Sequence, residues 1–207
     1  MSEGLMRYLV ERLKDELPGD ESRMALEPPM SYGRHRGPAP DYARRAAVML
    51  VLQQGNSGVS VPMVQRRKDL AYHPGEMAFP GGGLELGETW AEAALRECQE
   101  EIGVGPAAIR VCGMLTPIYV FGSFNLVMPI IGVSTTMSEY VIDQGEIERV
   151  VDVPLNQVTP ENIQTTARAL AGVDREVPCY EFGEATVWGA SAMMLAELSG
   201  LMSDFCG

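Results

Sequence analysis

The chain has 207 residues, nearly half of them apolar, enough to bury a full core in one domain or in one domain with decorations. Its formal net charge of -12 argues against a nucleic-acid partner, which calls for a basic stripe, and means that an anionic substrate would need metal ions and local basic residues to offset repulsion. The longest apolar runs, Ala46 to Leu52 and Leu126 to Val133, fall far short of the roughly 20 residues that a membrane-spanning helix needs, so no membrane partner is expected.

Leu5, Leu9, Val10, Leu13 and Leu17 recur at helical spacing and Pro18-Gly19 ends the pattern, which predicts an amphipathic helix over residues 5–17 with a packing role. The same N-terminal stretch mixes charges of both signs and lacks the apolar core and small-residue cleavage site of a secretory signal, so a cytoplasmic location is the expectation. Residues 18–40 shift to Pro, Gly and polar types and read as a connecting arm that wraps the domain or wanders. His35 lies in this arm without chemical context. The predicted organisation is therefore a helix and arm over 1–41, followed by one folded domain over 42–207.

Strands are predicted at Arg45 to Leu52, Ser60 to Arg66, Glu76 to Phe79, Ile109 to Leu115, Leu126 to Val133, Arg149 to Val153 and Val177 to Phe182. The turn-rich run Gln54-Gly55-Asn56-Ser57-Gly58 predicts a hairpin between the first two. Helices are expected at Thr89 to Ile102 and at about Val187 to Met202, giving a mixed sheet covered on both faces. Cys98, Cys112, Cys179 and Cys206 show no C-x-x-C spacing, and reduced thiols are expected.

The informative segment is Gly82 to Val104. Glu97, Glu100 and Glu101 stand at i, i+3 and i+4 and share one helix face, while Ala91, Leu95, Cys98 and Ile102 fall on another that can bury against the sheet. Like charges at this spacing destabilise an isolated helix by ~0.2–0.5 kcal/mol per pair. Hard cations such as Mg²⁺ prefer carboxylate and carbonyl oxygens and would remove the repulsion, so the cluster makes sense as a metal seat, which a diphosphate substrate would fit. Ahead of it, Pro80-Gly81-Gly82-Gly83 brings backbone close to a metal or phosphate without side-chain bulk. Arg96 can pair with a carboxylate and fix its rotamer, and Glu88 sits where the helix dipole favours an acid. Each piece alone has a plain structural explanation: a solvated glutamate face, a glycine turn, a surface ion pair.

Together these residues resemble the Nudix signature, G-x5-E-x7-R-E-U-x-E-E-x-G-U with U apolar, at Gly82, Glu88, Arg96, Glu97, Cys98, Glu100, Glu101, Gly103 and Val104. The resemblance implies an α/β fold, an αβα sandwich around a mixed sheet with a strand–loop–helix metal site. It implies Mg²⁺ or Mn²⁺ on Glu97, Glu100, Glu101 and the Gly81 carbonyl, oriented by Arg96 and Glu88. A carboxylate, Glu97 or the loop acid Glu146, would help deprotonate the attacking water.

Upstream, residues 63–82 resemble the extra signature of the coenzyme A diphosphatase branch, with Arg66, Leu70, His73, Gly75, Phe79, Pro80, Gly81 and Gly82 in register. Arg67 replaces a serine, Ala71 an arginine and Met77 a valine, and the likeness extends from about Arg44 to Leu198. Arg66, Arg67, Lys68 and His73 form a local basic cluster that suits a 3′-phosphate beside a diphosphate, with Gly82 lining the same site. His73 reads as a phosphate-side or loop-ordering residue. The expected reaction is hydrolysis of coenzyme A or an acyl derivative to 3′,5′-ADP and (acyl-)4′-phosphopantetheine. The alternatives are a Nudix diphosphatase for another nucleoside diphosphate derivative, such as ADP-ribose or a dinucleotide cofactor, and a ligand-sensing Nudix domain without catalysis. The partner is a small molecule, and a homodimer stays open.

Overall fold

The computed structural model describes residues 2–29, 38–135, 139–170 and 172–205. Most of the expected elements form with boundaries shifted by a few residues. The N-terminal helix α1 spans Ser2–Arg12 and is followed by a turn, so it stops short of Leu17. The described part of the arm does not wander. It forms a short helix α2 (Gly19–Arg23) and a 3-10 turn (Met24–Leu26), with Arg23 and Leu26 fully buried. The middle of the arm, including His35, lies outside the described residues, as does Cys206. The other three cysteines are free thiols.

Strand β1 (Arg44–Gly55) organises the molecule. It pairs in parallel with β7 (Asn125–Ser134), antiparallel with β2 (Gly58–Arg66) across a tight turn at Asn56-Ser57, and antiparallel with β4 (Gly81–Gly83). Around these lie β3 (Met77–Ala78) and β8 (Ile147–Pro154) on β2, and β5 (Ile109–Met114) and β6 (Ile118–Val120) on β7. A second antiparallel sheet has the order β9 (Gln164–Leu170), β10 (Val173–Phe182), β11 (Ala185–Trp188), with β10 central. Strands β4, β6, β9 and β11 go beyond the sequence expectation.

Successive side chains of a strand point to opposite faces, and β1 feeds a different core on each. Ala46, Leu50 and Leu52 join Leu5, Leu9, Leu195 and Leu198 on one side, against α1 and α4 (Gly189–Leu201). Ala47, Met49 and Val51 join Ala93, Ala94, Cys98 and Ile102 on the other, against α3 (Trp90–Ile102). The result is a mixed sheet between helical layers. Ala91 and Leu95 are only partly buried; Ala93 and Ala94 carry more of the contact than the spacing predicts. Helix α4 is apolar nearly all round and is buried nearly all round, as such a helix must be. Among the described residues no helix is long and apolar enough to cross a membrane.

Candidate active site

Helix α3 starts on a capping box. The Thr89 side chain accepts from the Glu92 amide, while the Glu92 carboxylate accepts from the Thr89 amide at 2.8 Å and its hydroxyl at 2.7 Å. This fixes the helix against the loop that precedes it. The helix ends at Gly103, whose φ of 74° is the left-handed cap and whose Cα faces Val141 too closely for a side chain. Its last carbonyls are met by a neighbouring loop: the amides of Val141 and Asp143 donate to the carbonyls of Ile102 and Glu101, both at 3.0 Å.

Arg96 is the centre of the exposed half of the site. Its guanidinium donates to Glu88 at 2.8 and 3.1 Å, to Glu97 at 2.9 Å, to Glu100 at 3.0 Å and to the Gly83 carbonyl at 3.0 Å. Glu88 also accepts from the Glu85 amide at 2.8 Å, which closes the loop onto the helix. The Arg96 hydrogen bond, together with that amide, holds the Glu88 carboxyl below its usual range. At Gly82 a Cβ would lie 2.6 Å from the Glu97 carboxyl carbon, so only glycine leaves room for that acid. Burial raises the Glu97 pKa, offset in part by Arg96.

Glu101 is different. Its side chain is 7% exposed against 57% for Glu100, although the two are neighbours in the chain. It accepts from the Gly81 amide at 3.1 Å, and its nearest counter-charge, Arg66, stands 3.7 Å away. Burial pushes its pKa up to about 8, against the pull of the Gly81 amide and Arg66, with Glu97 and Glu146 adding repulsion. Glu146, on the loop before β8, lies 3.5 Å from the other arm of Arg66. The structure thus brings Gly81, Gly82, Glu88, Arg96, Glu97, Glu100, Glu101, Arg66 and Glu146 into one continuous site.

The remaining basic residues are held elsewhere. Arg67 makes a bidentate pair with Asp69 at 2.7 and 2.8 Å and donates to the Gln144 carbonyl at 2.9 Å. His73, in a left-handed conformation at φ 53°, pairs through Nδ1 with Glu76 at 2.8 Å. Arg67, Lys68 and Asp69 line an open cleft of about 490 Å³ with Ile142, Gln144, Ile147 and Glu148. The short spacings Arg67–Asp69 and His73–Glu76 carry these pairings in the sequence. The braces from Gln144, from the Gly83 carbonyl and from Tyr140, which donates to Asp152 at 2.6 Å and accepts from Gln53 at 2.9 Å, join distant segments and leave no local signal.

Among the described residues no three carboxylate, thiol or imidazole groups converge on one point as ligands of a bound ion do. The reason is visible in Arg96, whose Nη1 draws both Glu97 and Glu100 to itself.

The NUDIX domain family model matches residues 43–171, a span that contains β1, the glycine loop and all of α3. Curated relatives include an uncharacterized Nudix hydrolase NudL of Klebsiella pneumoniae (strain 342), 31% identical over 164 residues that cover 75% of this chain and 81% of that one. Nudix hydrolase 15, mitochondrial, of Arabidopsis thaliana is 31% identical over 163 residues, 73% of this chain and 56% of that one. In fold, the chain is similar to a MutT/nudix family protein from Enterococcus faecalis (TM-score 0.53, 15% identity, 84% of this chain and 68% of that one). It is likewise similar to the MutT protein of Methanosarcina mazei Go1 (TM-score 0.52, 15% identity, 78% and 96%). The family match runs through the very loop and helix that gather the acids around Arg96, and the chain therefore belongs to the Nudix hydrolases.

Proposed function

We propose that this hydrolase cleaves the diphosphate of coenzyme A or an acyl-coenzyme A with water, giving 3′,5′-ADP and (acyl-)4′-phosphopantetheine, with Mg²⁺ or Mn²⁺ bound. The observation that carries the reading is the position of residues 66–82. This segment, which bears the coenzyme A-type pattern, runs from Arg66 against Glu101 and Glu146 to Gly81 and Gly82 against Glu101 and Glu97. This reading makes the substrate loop and the acidic helix parts of one site.

The donor set fits a hard divalent cation: carboxylate oxygens of Glu97, Glu100 and Glu101, with Gly81 backbone beside them. Glu101 is a buried acid short of counter-charge, which a cation would supply. When bound, the metal neutralises the diphosphate oxygens and acidifies a water. Arg96 fixes Glu97 and Glu88 against the glycine loop. Glu146, half exposed and adjacent to Arg66, accepts the proton of the attacking water. That water forms a new bond to one phosphorus while the bridging P–O bond breaks, leaving one phosphate of the former diphosphate on each product. Lys68 makes no hydrogen bond or ion pair among the described residues and borders the cleft, ready to meet a further phosphate.

A second reading is favoured by two residues: Arg67 is already committed to Asp69, and Ala71 stands where the branch has arginine. It makes the substrate another nucleoside diphosphate derivative. Purified protein with Mg²⁺ or Mn²⁺ is incubated with coenzyme A, acetyl-coenzyme A, dephospho-coenzyme A, ADP-ribose and NADH, and products are weighed by mass spectrometry. Release of 3′,5′-ADP is expected. Cleavage of ADP-ribose with coenzyme A untouched selects the second reading, and binding without any cleavage selects a sensor.

A further inference from the structure

The sequence pattern gives Arg66 to the substrate, but the β2–β8 ladder gives it another task. The pairing runs from Ser60 opposite Pro154 to Gln65 opposite Arg149, then slips so that Arg66 faces Ile147 and Glu148 is left as an extra residue. A bulge of this kind bends a strand and re-aims its side chains, often beside an active site. In an unbroken ladder Arg66 would face Glu148. The slip instead lets the Arg67 amide donate to the Glu146 carbonyl at 2.9 Å and brings Glu146 one place nearer Arg66 along the ladder.

The guanidinium completes the arrangement. One arm lies 3.7 Å from Glu101 and the other 3.5 Å from Glu146, and the side chain is 23% exposed. Both arms therefore face protein carboxylates. The backbone of the Glu146 loop is already tied down, since Asp143 donates to the Glu101 carbonyl at 3.0 Å and Ile147 to the Asp143 carbonyl at 2.8 Å. What this leaves undetermined is the Glu146 side chain, which is half exposed and is repelled by Glu97 and Glu101. The cation that stands between Glu146 and Glu101 is the Arg66 guanidinium.

We propose that Arg66 is a positioning residue that holds the Glu146 carboxylate at a set place beside Glu101, and that it does not read a substrate phosphate. This rests on the role of Glu146 given under the proposed function, but not on coenzyme A being the substrate.

The test compares wild type with Arg66→Ala, Arg66→Lys, Glu146→Gln and the Arg66→Ala/Glu146→Gln double variant, using coenzyme A and ADP-ribose as separate probes. Because a displaced catalytic group costs up to about a hundredfold, Arg66→Ala is expected to lower kcat by roughly tenfold to a hundredfold with KM within about twofold. Arg66→Lys should recover part of the loss. In the Glu146→Gln background Arg66→Ala should cost less than about twofold more, since the two act as one unit. A KM raised about tenfold at constant kcat, or losses that multiply in the double variant, overturns the proposal. A second measurement needs no turnover. In protein labelled at the glutamate side-chain carboxyl carbons, the resonance that vanishes in Glu146→Gln is followed at constant pH, and Arg66→Ala should move it to the position of a solvent-exposed glutamate. A resonance that stays in place overturns the proposal. If wild type cleaves neither probe, the coenzyme A reading fails while this measurement still decides the role of Arg66.

Discussion

Two buried glutamates, one on the helix at each side of the sheet, are served very differently. Glu197 of α4 is fully enclosed, paired with the equally enclosed Arg23, and accepts from the Thr116 amide at 3.1 Å and the Thr116 hydroxyl at 2.7 Å. Arg23 also donates to the carbonyls of Thr116 and Pro117. Glu101 of α3 has one amide at 3.1 Å and a distant arginine. A buried acid given every partner locks three segments together; a buried acid left short of partners is kept ready to bind something else.

The largest effect expected from this contrast is on folding. Arg23→Met leaves Glu197 buried and unpaired, and loss of one partner of such a pair costs about 3–5 kcal/mol. For a chain of this size each kcal/mol lowers Tm by roughly 2–4 °C, so thermal unfolding should fall by about 6–20 °C, centred near 10 °C. A Tm within 2–3 °C of wild type, set against that roughly 10 °C, makes the pair dispensable. Glu101→Gln does the reverse: turnover should drop on the order of a hundredfold or more, the scale of losing one group that stabilises transition-state charge, while the metal-free protein melts no lower than wild type. A variant that keeps its rate, or that unfolds early, contradicts the contrast.

Smaller is the pH dependence of the metal-free protein. The folded pKa of Glu101 is raised, to about 8, above that of an unfolded glutamate, so its neutral form favours the fold. That stability is complete below about 4.5 and is lost as pH rises through about 8. Melts of chelated wild type and Glu101→Gln should therefore diverge over this window, the wild type losing more, and Mg²⁺ or Mn²⁺ affinity should rise across the same window. Parallel curves break the link. The smallest effect is at Glu92, an acid that is exposed and fully served by the capping box. Thr89→Ala should cost about 1 kcal/mol in a denaturant melt and leave kcat intact. A loss of activity there would mean that the start of α3 does more than hold the helix.

Much of this is legible in the amino-acid sequence. The nine Nudix positions, the hairpin at Gln54 to Gly58 and the start of α3 at Thr89 are local patterns, and local patterns survive into structure. The distinction between Glu100 and Glu101 is not local. One step along the helix separates an exposed acid from a buried one, and the neighbours that meet Glu101, the Gly81 and Asp143 amides and Arg66, all come from other segments. Gly81–Gly83 reads as a turn and yet pairs with β1, because residues without side chains let the two backbones meet. Arg23 reads as a polar residue in a connector, since its partner Glu197 lies at the far end of the sequence. The basic cluster of residues 66–73 reads as free charge because the acids that occupy Arg66 come from α3 and from the loop before β8.

The pairing of β1 with β7 also sets an order in time. It joins residues as distant along the chain as Arg45 and Leu126, and β4, which bears the glycine loop, is hung on the same strand. Contacts of long sequence separation close slowly, because the intervening chain must surrender its freedom before they form. The helix α3 and the β1–β2 hairpin lie between or beside these partners and need no such closure. On contact span alone the glycine loop, which joins residues 46–48 to 81–83, is expected to reach β1 after the β1–β2 hairpin forms and before β7 docks.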